Sequence, residues 1–226
     1  MSKAYRRVLL KISGDCFAQE KIFNSVVSQL VKAAKRQVRI AVVVGGGNII
    51  RGRDNRDLKP ISADRTGMLA TVINGIRLTD VLSHLVPVTH YAAFAIGNFV
   101  EPYSVDRALA SLKKGEVVIL SGGTGHPFFS TDSAAALRAA ELKMEVILKG
   151  TRVAGIFSAD PEKNPAAHFY PQLTYEQALS QGLKVMDLTA FAFCQEHRIP
   201  IVVFDITQPR AILNTIAGKK TGSIVC

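Results

Sequence analysis

Tryptophan is absent from this chain, cysteine occurs only three times, and no apolar run is long enough for a membrane span. The cysteines, Cys16, Cys194 and Cys226, are odd in number and irregularly spaced. That argues against a disulfide framework and a cysteine-based zinc site, and implies a reducing compartment. A bilayer-crossing helix needs roughly 18 or more consecutive apolar residues, so no membrane partner is expected. The segment MSKAYRRVLLKISG enters a strand without a cleavable signal pattern, which makes cytoplasmic the expected location. The five histidines show no HxxxH or HExxH spacing and no serine lies in GxSxG, so neither a catalytic zinc nor a hydrolase triad is expected. No linker rich in Pro, Gly or Ser divides the 226 residues, and residues 1–226 are read as one domain.

Basic residues dominate, with a formal net charge of +10. Such a surface suits nucleic acid or small phosphorylated ligands. The basic clusters at 6–7, 51–56 and 219–220 carry no interleaved aromatics to stack on bases, so nucleic acid is not expected as the main partner. Apolar residues make up 48%, in short β-branched runs at 7–13, 38–44, 116–120, 146–149 and 201–205. Helical spacing recurs at 24–35 and 64–85, with capped helices at 104–114, 134–142, 174–181 and from Asp187 to 196. Strands that alternate with helices predict an α/β fold around a largely parallel sheet. In such sheets ligands gather outside the carboxyl ends of the strands.

The chemistry-bearing residues sit at those ends. Lys11 interrupts an apolar strand just before Ser13 and Gly14, and Lys149 repeats the arrangement. A lysine there suits an anion, or simply snorkels from an edge strand. Gly45, Gly46 and Gly47 follow the second strand, and close approach of a ligand explains three glycines better than a turn. The stretch 121–138, SGGTGHPFFSTDSAAALR, joins a strand end, a glycine turn and a hydroxyl-rich helix start, which suits a bound phosphate. The same hydroxyls could serve only as caps, and Asp64, at the head of its helix, reads as a cap on spacing alone. Taken together these are the parts of a phosphoryl-transfer site.

With those residues in view, the chain resembles the bacterial uridylate (UMP) kinases of the amino acid kinase superfamily. The carrying motifs are LLKISG (9–14), VVVGGGNIIRG (42–52), DRTGMLATVINGI (64–76), TGHPFFSTDSAAALR (124–138), LKGTRVAGIFSADP (148–161), LTYEQAL (173–179) and LKVMDLTAF (183–191). The resemblance implies a three-layer αβα sandwich, Mg-bound ATP as phosphoryl donor, UMP as acceptor, a homohexamer and a place in pyrimidine nucleotide synthesis. It implies ATP contacts at Lys11, Ile12, Ser13, Gly14, Gly47, Arg51, Thr151, Phe157 and Asp160. UMP contacts are implied at Gly46, Asp64, Thr124, Gly125, His126, Pro127, Phe128, Phe129, Ser130 and Thr131. Lys11, Arg51, Asp132 and Asp187 are the expected catalytic residues, with the Gly45, Gly46 and Gly47 amides on the transferring phosphoryl and no direct protein ligand to magnesium. Rival readings are a superfamily kinase acting on a carboxylate or carbamate, and a nucleotide-binding regulatory protein with weakened catalysis. The sequence departs from the family pattern at Ala154 and Glu145, where aspartates are usual, and at His126, where asparagine is usual. The loop DCFAQEKIF also lacks the glycine-rich insertion that accompanies GTP activation in many relatives.

Overall fold

The structure is a computed structural model, and it describes residues 4–50, 57–183 and 185–226. Its centre is a nine-stranded sheet in which β1 (Arg7–Ile12) lies between β2 (Arg39–Val44) and β6 (Val146–Thr151). Beyond β2 come β5 (Val117–Ser121), β3 (Val88–Ala92) and the two-residue β4 (Glu101–Pro102). Beyond β6 come β10 (Ile201–Asp205), β11 (Gly222–Val225) and β9 (Gln172–Leu173). All these pairings are parallel except β10 with β11. The carboxyl ends of β1, β2, β5, β6 and β10 therefore share one edge, as the sequence predicts.

Alternation along the strands sorts the core into two layers. Val8, Leu10 and Ile12 of β1 join Val146 and Leu148 of β6 in a cluster with α2 (Glu20–Lys35), α3 (Pro60–Ser83) and α8 (Ala211–Ile216). Leu9 and Ile147 point to the other face, where α4 (Val105–Lys113), α5 (Thr131–Glu141) and α7 (Leu188–Glu196) cover them. Each fully buried Leu or Ile contributes about 1.5–3 kcal/mol, so this two-sided filling fixes the register. The same alternation carries Lys11 and Lys149 onto the face of Leu9 and Ile147, toward the start of α5.

Several boundaries move. The helix expected from Asp64 begins at Pro60, whose ring is tolerated in the first turn where its missing N–H is not needed. Asp64 is thus inside α3 and does not cap it. α5 starts at Thr131, three residues earlier than predicted, because the Ser130 hydroxyl accepts the N–H groups of Asp132 and Ser133. Before α6 (Tyr175–Ser180) the Thr174 and Gln177 capping box forms as read. Unforeseen are the short α1 (Asp15–Ala18), α8, and the hairpin of β7 (Ile156–Phe157) with β8 (Phe169–Tyr170).

Candidate active site

Lys11 and Lys149 are cross-strand partners in the β1–β6 register. Between their ammonium groups lies the Asp132 carboxylate, with Lys11 Nζ 2.8 Å from Oδ1 and Lys149 Nζ 2.7 Å from Oδ2. The three side chains are only 12%, 15% and 13% exposed for Lys11, Lys149 and Asp132. Lys149 also donates to the Val185 carbonyl at 2.6 Å. Burial by itself would raise the Asp132 carboxyl, but the two ammoniums outweigh it and hold the group below the usual carboxylate value. Burial lowers the Lys149 ammonium, and the Asp132 charge offsets part of that. Within the cluster two cations share one anion, and the Asp187 carboxylate acts on Lys149 from the same cleft.

Two clefts meet at Lys149. One, of about 580 Å³, is lined by Thr151, Phe157 and Asp160. The other, of about 670 Å³, is lined by Lys11, Ser130, Thr131, Asp132 and Asp187. Asp187 caps α7 by accepting the Ala190 N–H at 2.9 Å. It also accepts the Ser130 hydroxyl, and the Ser133 hydroxyl at 3.1 Å, so it clamps α5 to α7 without touching either lysine. Of the two expected carboxylates, Asp132 is the one that orients lysine.

The glycine segments lie at the same edge, packed more tightly than a ligand alone would require. A Cβ on Gly14 would lie 2.4 Å from Gly47 N, and one on Gly46 would lie 2.8 Å from Ala70 Cβ. None of Gly45, Gly46 and Gly47 has a positive φ. On the side where a Cβ would stand, Gly45 and Gly46 are approached by the protein itself, so close packing of the chain is by itself a reason for glycine there. The Gly45 N–H already donates to Ile12 O at 2.9 Å, so it is not available to a phosphate. Ile12 is buried in the α2 layer, leaving only its backbone at the edge.

Of the residues expected to contact UMP, Asp64 and Phe128 meet: the Asp64 Oδ2 accepts the Phe128 N–H at 2.7 Å. Phe128 has a left-handed backbone, with φ at 70°, and its ring is 73% exposed. The Thr124 hydroxyl accepts the His126 N–H at 3.2 Å, and Gly125 at φ +90° passes over Ala93. Residues 124–129 line neither of the two clefts, whereas Ser130 and Thr131 do. Pro127, Phe129 and the exposed His126 belong to that same loop. Arg51 lies outside the described residues.

The expected site set omitted Lys149, although its strand-end position matched that of Lys11. It also omitted Ser133 and Thr71, whose hydroxyl accepts the Gly122 N–H at 2.7 Å. The reciprocal amide pair of Asn48 and Asn74, with Asn74 donating to Gly45 O at 2.7 Å, has no sequence signal at all. Among the described residues no group of three or more His, Cys, Asp or Glu is placed to hold a metal ion.

Comparison with known proteins places this geometry. The chain is 42% identical, over 98% of its length and 68% of the relative, to the chloroplastic uridylate kinase PUMPKIN of Arabidopsis thaliana. It is similar to the crystal structure of UMP kinase from Ureaplasma parvum, with TM-score 0.92, 40% identity and 99% of each chain covered. The UMP kinase structure from Bacillus anthracis aligns with TM-score 0.94 and 30% identity, over 99% of this chain and 96% of that one. The profile of the Amino acid kinase family matches residues 6–205. With its parallel sheet, its paired strand-end lysines and that match, the chain belongs to the amino acid kinase family.

Proposed function

We propose that this chain is a UMP kinase, moving the γ-phosphoryl of Mg-bound ATP onto UMP to give UDP in pyrimidine nucleotide synthesis. The observation that carries the reading is the Lys11–Asp132–Lys149 cluster at the junction of two clefts. ATP occupies the cleft of Thr151, Phe157 and Asp160, with its phosphates along Ile12, Ser13, Gly14 and Gly47. UMP lies against Gly46, Asp64 and Thr124, Gly125, His126, Pro127, Phe128, Phe129, Ser130 and Thr131.

A UMP phosphate oxygen attacks the γ-phosphorus, the bond to the bridging β,γ oxygen breaks, and ADP leaves with that electron pair. The second pKa of a phosphate monoester is about 6, so the acceptor is already ionised at neutral pH and no strong base is needed. Lys11 and Lys149 neutralise charge on the transferring group, Asp132 holds them in place, and Arg51 adds a further cation. Asp187 positions the start of α5. Magnesium supplies neutralisation of the β- and γ-phosphate charge. The residues fit a metal carried on the nucleotide, because Asp132 is committed to two lysines and Asp187 to hydroxyls and an N–H.

A homohexamer is part of this reading. α3 exposes Leu69 and Ile73, at 47% and 55%, in an apolar stripe suited to a second copy of the chain. A cytoplasmic location also belongs to it; no described helix is long and apolar enough to cross a membrane. The test is a coupled ADP-release assay with Mg-ATP against UMP, CMP and carboxylate acceptors. UDP formation is expected, with kcat falling by orders of magnitude in Lys11→Ala. Phosphorylation of a carboxylate, or UMP binding without UDP, would overturn the proposal.

A further inference from the structure

The end of the sheet opposite the strand-end lysines carries its own basic cleft, of about 250 Å³. Its walls hold four cations: Arg7 at the first position of β1, Arg39 at the first position of β2, Lys113 at the end of α4, and Lys143 just past α5. Its floor is apolar, including Leu112 and Leu142. No carboxylate lines it.

Ordinary structural roles account for part of this set. Lys113 lies in the last turn of α4, where a cation is favourable. Arg7 is half spoken for, since its guanidinium is 3.5 Å from Glu145 Oε1 and its Nε donates to Lys143 O at 2.9 Å. Those contacts hold the guanidinium at the cleft wall with further donors to spare. Glu145 also accepts the N–H groups of Arg6 and Arg7, at 2.7 Å and 3.2 Å. Glu116, just before β5, is hydrogen-bonded by Thr89 and lies near Lys114. Arg39 and Lys113 thus have no carboxylate partner among the described residues. Beside the Arg7–Glu145 pair, Arg39, Lys113 and Lys143 put three further positive charges around one small hollow, and these repel each other unless an anion joins them.

We propose that this cleft binds a compact phosphorylated anion carrying several charges, its phosphates between Arg7, Arg39, Lys113 and Lys143. The hollow is too small for a macromolecule to enter and has more cationic donors than a single carboxylate would use. The site shares no residue with the UMP kinase reading and stands independently of it.

Tripolyphosphate is the probe, titrated calorimetrically into the full chain carrying Lys11→Ala to weaken the nucleotide site. One tripolyphosphate per chain should still bind, more weakly as salt is raised. Adding Arg39→Gln with Lys113→Gln should weaken that binding about tenfold or more. Lys143→Gly should weaken it too, without lowering Tm, because Lys143 has φ 54° and glycine adopts that conformation freely. The proposal is overturned if the Lys11→Ala chain binds no tripolyphosphate, or if the Arg39 and Lys113 changes leave binding intact. Binding of a single-stranded RNA through the same cations, with none of tripolyphosphate, would also overturn it. In each case UDP formation by the unaltered chain reports separately on the kinase reading.

Discussion

Lys11 and Lys149 face each other across the β1–β6 pair, in register and on one side of the sheet, and take opposite oxygens of a single carboxylate. Two adjacent ammoniums without Asp132 would repel. With it they form a cluster of two cations and one anion that is already joined before any ligand arrives. Its parts come from two strand ends and a helix start, so no loop has to move to assemble it.

The cluster separates stability from turnover. Asp132→Ala strands two partly buried cations, and breaking a buried pair costs about 3–5 kcal/mol. A large drop in denaturant midpoint should accompany the loss of activity. Lys149→Met removes an ammonium that burial already disfavours while leaving Asp132 paired to Lys11. Its midpoint should fall less than that of Asp132→Ala, because Asp132 keeps one ammonium partner, while kcat falls about 10²–10³-fold. Equal destabilisation by both changes would contradict this account.

Asp64 and Phe128 give a second test. The Asp64 carboxylate pins the Phe128 N–H in a left-handed backbone turn. Asp64→Ala should release that turn, raising KM for UMP about tenfold or more while KM for ATP stays within twofold. Initial-rate measurements with each substrate varied in turn would decide it.

His90 makes the fold acid-sensitive. It is buried against Ser121, 2.7 Å from that hydroxyl, and burial lowers its pKa from 6.5 to about 4. The folded value lies below the unfolded one, so the unfolded chain binds more protons between them and stability rises with pH. The contribution is present above pH 6.5 and is lost as pH falls toward 4, on the order of 3 kcal/mol. His90→Gln should flatten the slope of unfolding free energy against pH in that window. An unchanged slope would remove His90 as its source.

Gly14 tests the close packing of the two glycine segments. An alanine Cβ there would meet backbone atoms of Gly47 and Asn48 at 2.4 Å and 2.7 Å, and backbone cannot rotate away as a side chain could. Gly14→Ala should cost about 1–3 kcal/mol and raise KM for ATP. Gly67→Ala, inside α3 with nothing within 4 Å, is the control that should leave KM for ATP unchanged and raise stability by about 0.5–1 kcal/mol.

The proposed homohexamer gives a test at α3. Ile73→Glu places a charge in the exposed apolar stripe and, on that proposal, should shift the sedimenting species to smaller ones by analytical ultracentrifugation. Secondary structure by circular dichroism should not change, since the side chain contributes little to the chain's own core.

The parallel sheet was legible because its strands are short, β-branched and separated by helices with visible caps, all of them local signals. Lys11 stood out as a charge inside an apolar strand, and the Thr174 capping box was readable from four residues. The hairpin of β7 and β8 was not legible, since two-residue strands carry no periodicity. The reach of Asp64 to Phe128 spans 64 residues, and spacing within a helix cannot report such a partner.

By itself the sequence determined the alternation that puts Lys11 and Lys149 on the face of Leu9 and Ile147, because side-chain direction along a strand is a property of the chain alone. Only the tertiary structure decided that β1 and β6 lie side by side, that Ser130 caps α5 so Asp132 in its first turn falls between the lysines, and that Asp187 turns to hydroxyls instead. Those outcomes depend on which elements pack together. That choice is settled by filling both faces of the sheet at once, not by any one segment's preferences.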